Sequence, residues 1–126
     1  MNKISIITVA LLLVFVSCRK DVPSDKEGFI GTWQCTSCGE DEIKTIVIKQ
    51  NGRGSYKSLK PGATLEIAGK VFFDGNNFKI GGAIIRKKFS TDQYPKKGVV
   101  SLIPYTYTWS AKFNGDDYKK DLYKDE

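Results

Sequence analysis

From Phe29 onward the chain alternates between apolar and polar positions. Phe29, Trp33 and Cys35 fall on one side of a first predicted strand, 29–36, with Gly31 between them. Side chains on a strand point to opposite faces with a period of two, so this spacing marks a strand buried on one face. Residues 42–50 are rich in β-branched side chains (Ile43, Thr45, Ile46, Val47, Ile48) and predict a second strand. Asn51-Gly52 then predicts a type I′ hairpin turn, and 54–58 the returning strand. Pro61-Gly62 turns the chain again. Residues 64–73 place Leu65, Ile67, Val71 and Phe73 on one side, and after Asp74-Gly75-Asn76-Asn77 the pair Phe78 and Ile80 resumes that side. Gly81-Gly82 separates this run from a strand at 83–89, and 90–98 reads as a loop.

The clearest alternation spans 99–113, where Ile103, Tyr105, Tyr107, Trp109, Ala111 and Phe113 share one face. It predicts one half-buried strand, or two strands bent at Pro104, since proline cannot donate to a central ladder. Asn114-Gly115 turns into a last strand at 116–122. No window of helical length carries an apolar i, i+3, i+4 stripe free of Gly and Pro. About eight short strands joined mainly by hairpins predict an all-β fold, a small antiparallel meander barrel over residues 28–126. The segments 73–79 and 113–119 share the order aromatic, turn, aromatic, lysine. Two hairpins arriving at the same turn chemistry account for this; neither segment has the Asp-x-Asp-x-Asp-Gly spacing of a calcium loop.

The amino terminus has a different pattern. Lys3 precedes a mainly apolar run of 13 residues, Ile4 to Val16. A helix needs about 20 residues to span a bilayer, so the run predicts an export leader over residues 1–17. Residues 18–27 are polar, show no apolar period and predict a flexible tether.

Two resemblances follow from these segments. Phe15-Val16-Ser17-Cys18 resembles the lipobox of bacterial lipoproteins. That resemblance implies cleavage before Cys18, long acyl chains such as palmitate on that cysteine, and anchorage to a membrane. Arg19 stands where an aspartate typically retains such lipoproteins in the inner membrane, so the resemblance implies a cell-envelope protein of the outer membrane. Gly31-Thr32-Trp33 is similar to the Gly-x-Trp signature of lipocalins and of lipocalin-like (calycin-like) bacterial lipoproteins, and Gln50 to Tyr56 looks like a turn-and-strand segment of those domains. The resemblance implies that Trp33 packs across the closed end of the barrel, against an Arg from the last strand. No Arg follows Arg86, so that partner is missing unless Lys112 or Lys119 substitutes. The chain is also much shorter than a typical lipocalin.

Removing residues 1–17 from the 126 leaves 109, enough for one domain with a modest core. The remaining 19 basic and 14 acidic side chains are spread along the chain, and an exported protein meets little nucleic acid, so no nucleic-acid role is expected. There is no histidine, which removes the commonest general base and the Ser-His and Cys-His nucleophile pairs. No catalytic residue is proposed and the chain is read as no enzyme. For Cys35 and Cys38 a local disulfide and two free thiols are both open. Zinc would need ligands beyond these, and only Glu40, Asp41 or Glu42 stand nearby, so no metal or cofactor is expected. The rings of Tyr105, Tyr107, Trp109, Phe113 and Phe73 either line a cavity for a small apolar or amphipathic ligand or fill the barrel. The function expected is ligand binding by a membrane-anchored module. The alternative is a packed barrel whose surface binds a protein or an envelope polymer, as an inhibitor does.

Overall fold

The computed structural model describes residues 21–102 and 105–121, with the side chains of all of these except 99–107 and 121. A 3-10 helix, Ser24–Phe29, precedes nine strands: β1 Gly31–Cys35, β2 Ile43–Ile48, β3 Arg53–Lys60, β4 Ala63–Asp74, β5 Asn77–Gly81, β6 Arg86–Phe89, β7 Lys96–Leu102, β8 Tyr105–Phe113 and β9 Asp116–Asp121. They form one antiparallel sheet in the order β6-β5-β4-β3-β2-β1-β9-β8-β7. The all-β expectation holds, and two details change. There are nine strands where about eight were expected, because the stretch 99–113 is the β7–β8 hairpin and β7 begins at Lys96, inside the predicted loop. The barrel is also open. β6 and β7 follow each other in sequence yet form the two edges, so the sheet curls into a half-barrel.

Turn chemistry sets the registers. Asn114 and Gly115 both have positive φ, 53° and 84°, as a type I′ turn requires, and they fix Phe113 opposite Asp116. At Asn51-Gly52 the turn differs from the expected one. Only Gly52 has positive φ, the Lys49 and Arg53 backbones close a three-residue loop, and Asn51 Oδ1 accepts the Arg53 N–H at 3.1 Å. An Asx turn followed by a left-handed glycine gives the bulged loop that ranks next after two-residue turns.

The concave face is filled with rings. Phe29, Trp33, Ile46, Ile48, Tyr56, Phe78, Ile80, Phe89, Phe113 and Tyr118 are all buried. Phe29, at the end of the 3-10 helix, meets Phe73, Phe78, Tyr94 and Phe113 with centroids 5.3–6.3 Å apart. Val22 is buried too, and its N–H donates to Gln50 O at 2.9 Å. Residues 22–29 therefore plug the half-barrel, although most of them fall within the segment read as a tether. Val22, alone among polar neighbours, makes no local period, and Phe29, expected at the start of the first strand, ends the 3-10 helix instead; each finds a place in the core. Residues 1–20, including the leader and Cys18, lie outside the described residues.

The 40-residue echo has a structural use. At the β8–β9 turn, the Asn114 N–H and Nδ2 donate to Ser90 O (2.8 Å) and Lys88 O (2.9 Å), and Asn114 Oδ1 accepts the Ser90 N–H at 2.8 Å. At the matching β4–β5 turn, Asn77 Oδ1 accepts the Thr91 N–H at 3.0 Å. The two turns hold the chain leaving β6, and so tie one edge of the sheet to the β8–β9 hairpin.

Candidate ligand cleft at the tryptophan pair

Three side chains from three adjacent strands meet at the mouth of the half-barrel. The β8–β9 register puts Trp109 directly opposite Lys120. On the other side of β9, Gln34 faces Lys119, which brings Trp33 beside Lys120. The Lys120 ammonium lies 4.9 Å from the Trp33 ring centroid and 5.0 Å from that of Trp109. It also donates to Ile30 O. Lys120 is only 8% exposed. Burying a cation is costly unless it is paired, and here two ring faces and a carbonyl offset the lost hydration.

Gly31 makes this arrangement fit. A Cβ there would lie 2.8 Å from Lys120 Cδ, so any side chain would displace the lysine stem. Trp33 is fully buried, its Nε1 donates to Phe29 O at 2.8 Å, and Phe113 meets it edge-on at 5.4 Å. The basic side chain over Trp33 is thus Lys120, instead of Lys112 or Lys119. Lys112 pairs with Asp117 at 3.9 Å, and Lys119 is exposed.

Trp109 is half-buried, and its Nε1 is buried without a hydrogen-bond partner among the described residues. A buried donor without an acceptor is uncommon and calls for an explanation. An open cleft of about 1180 Å³ lies beside the Trp109 side chain, walled by Gly28, Ile30, Gly31, Tyr94, Trp109 and Lys120 among others. Tyr94 holds the far wall, its hydroxyl accepting the Gly28 N–H at 2.7 Å.

The aromatic stripe therefore divides. Phe113 is fully buried in the core and Phe73 packs against it, so both contribute packing. Trp109 alone of the stripe's described rings borders the cleft. The side chains of Tyr105 and Tyr107 lie outside the described residues. Lys120 and Tyr94 were not picked out from sequence. Lys120 was within reach, because a two-residue turn that pairs 113 with 116 also pairs 109 with 120. Tyr94 had no such signal, since its loop docks only through tertiary contacts.

Cys35 and Cys38 are joined in a disulfide, with Cα atoms 5.8 Å apart. Asp116 comes close, its carboxylate lying within 4.8 Å of both sulfurs. The thiols are consumed by the bond, and Asp116 Oδ2 accepts from Lys44 Nζ at 3.0 Å, so the group offers no metal-ligand set.

Tyr118, beside this group, is buried. Burial first, then the nearby Tyr56, Asp116 and Glu42 charges, raises its hydroxyl pKa well above the ordinary value. For Lys44, burial lowers the pKa, but the hydrogen bond and charge of Asp116 more than reverse this and leave it raised. Above about pH 10 the unfolded chain releases both protons while the folded chain keeps them, so stability falls as pH rises. We expect urea midpoints to decline from about pH 10 upward, and Tyr118→Phe to make that decline shallower. An unchanged slope in Tyr118→Phe would show that the phenol does not contribute.

Comparison with known proteins gives no match. No protein-family model, no curated protein and no solved structure is similar to this chain at a significant level. Among the described residues, no helix is long and apolar enough to cross a membrane.

Proposed function

We propose that the chain is an acyl-anchored lipoprotein of the bacterial outer membrane, with a lipocalin-like half-barrel that binds a small amphipathic ligand at the Trp109–Lys120 cleft and does not transform it. The observation that carries this reading is the buried, unpartnered Trp109 Nε1 beside a caged cation and an open cleft. A ligand's negative end would sit in the field of Lys120 and its apolar part would cover Trp109 and Ile30, while an acceptor oxygen would satisfy the indole N–H once the Trp109 ring turns toward the cleft. Such sites are mostly apolar, with a few polar groups that fix orientation. The leader, the lipobox at Cys18 and the Gly31-x-Trp33 motif support the envelope setting. The absence of histidine supports binding over catalysis.

The filled interior favours a second reading, a surface module of the inhibitor type, since Phe29, Phe78 and Phe113 occupy the space a deep lipocalin cavity would need. Titration with 8-anilinonaphthalene-1-sulfonate, an amphipathic anion, separates the two. In the cleft reading its emission rises on mixing with the full chain, and Trp109→Ala weakens binding by about tenfold or more, the loss expected when one large ring no longer covers the probe. Equal binding to the wild type and to Trp109→Ala would remove the cleft reading.

A further inference from the structure

The outer face of the sheet over β3–β6 carries a pattern that the cleft does not use. Alternation along β4 turns Lys70 and Phe72 outward, and the registers place Arg53 opposite Lys70, Phe72 opposite Lys79, and Lys79 opposite Lys88. Arg53, Lys70, Lys79, Arg86 and Lys88 are all exposed. Like charges directly opposite on neighbouring strands repel, and here two such pairs lie on one face. The carboxylates that share the outward side of β4 are Glu66, opposite Lys57, and Asp74, opposite Asn77. Among the described residues, the ion pairs use Lys26, Lys44, Lys60 and Lys112, and none of these five cations.

An apolar tip lies at one end of the same strands. In the loop between β5 and β6, Ile84 is 95% exposed and Ile85 61%, and Phe72 beside them is 41% exposed. The loop is held in shape by the Gly82 N–H to Ile85 O bond of 3.0 Å and by Arg86 Nε donating to Gly82 O at 2.7 Å. The Arg86 guanidinium also lies 5.4 Å over the Phe72 ring. Two branched aliphatic side chains held out in water, ringed by unneutralised cations, match what an anionic bilayer offers: phosphate headgroups for the charges and an acyl boundary for the tip.

We propose that the β3–β6 face and the Ile84-Ile85 tip form a docking surface for an anionic lipid bilayer. Each cation brought near such a surface adds roughly fivefold in affinity, and the isoleucines add the apolar insertion that charge alone lacks. The face is separate from the Trp109 cleft and needs no acyl chain on Cys18.

Hydrogen exchange on the full chain tests this. With vesicles of phosphatidylcholine containing one third phosphatidylglycerol, exchange over residues 70–72 and 82–88 slows by about tenfold or more, and the effect disappears in high salt. Ile84→Ser with Ile85→Ser, or Lys79→Gln with Lys88→Gln, removes most of that protection, whereas Lys112→Gln on β8 leaves it in place. The four changed side chains are exposed, so the fold is retained. Protection that is equal on pure phosphatidylcholine overturns the proposal. Protection that appears only with an acidic polymer or an acidic protein, and not with anionic vesicles, overturns it as well.

Discussion

Trp33→Ala is expected to cost about 3–5 kcal/mol of stability, measured by urea unfolding, the usual range for removing a large ring from a core that cannot collapse around it. Trp33 is fully buried, and three things rest on it. Its Nε1 satisfies Phe29 O, which holds the 3-10 helix over the mouth. Its edge meets Phe113. Its face carries the Lys120 ammonium. Losing the ring leaves the Phe29 carbonyl without its donor and takes one of two ring faces from the Lys120 ammonium, and each unmade contact adds to the cavity's cost. Trp33→Phe keeps a ring but not the donor, so it separates the hydrogen bond from the packing and should cost less. A loss below about 1 kcal/mol in Trp33→Ala would mean that the ring does not close the core.

Much of the sheet was legible because its signals are local. Period-two alternation located β1, β4 and β5, β-branched side chains marked β2, turn signals placed β3, and Asn114-Gly115 carried enough turn chemistry to fix a register. The features that escaped share one cause: they exist only after distant segments meet. Val22 sits in polar surroundings with no period, Phe29 reads as the first rung of β1, and their places in the core come from contacts with Gln50, Phe78 and Tyr94. Lys96-Lys97-Gly98 reads as a loop because edge strands tolerate charge, and only pairing with β8 makes it a strand. The open edge between β6 and β7 was equally hidden. Hairpin signals say which strands neighbour each other in sequence, but not whether the first and last close the sheet.

The candidate site was half legible for a related reason. Trp33 and Trp109 stand out by residue type and parity, so a reader of the sequence finds them. That one borders a cleft while Phe113, two rungs along the same face, is sealed in the core depends on how far the 3-10 helix reaches across the mouth. That distance is set by Tyr94 and the Gly28 N–H, 66 residues apart in sequence.

The curl that gathers these groups depends on a glycine corner, and Gly69→Ala is expected to damage it by about 2–5 kcal/mol. β4 pairs with β3 through Lys70 and with β5 from Lys70 onward, so Gly69 lies where the two ladders overlap. A Cβ on Gly69 would meet the Gly81 carbonyl carbon and oxygen at 2.6 Å. Its register partner Gly54 is equally crowded, with Val47 O at 2.6 Å and Val71 Cγ2 at 2.7 Å from a Cβ. Backbone atoms cannot swing aside as a side-chain end can, so the strands themselves must part. Parting them moves Phe73 and Phe78, which lie within β4 and β5, away from Phe29. Gly62→Ala provides the contrast: it too has positive φ, 78°, but nothing lies near its Cβ. It should cost only about 1–2 kcal/mol, the penalty of the left-handed backbone. Equal losses in the two variants would show that the close approach at Gly69 does not hold the sheet in its curl.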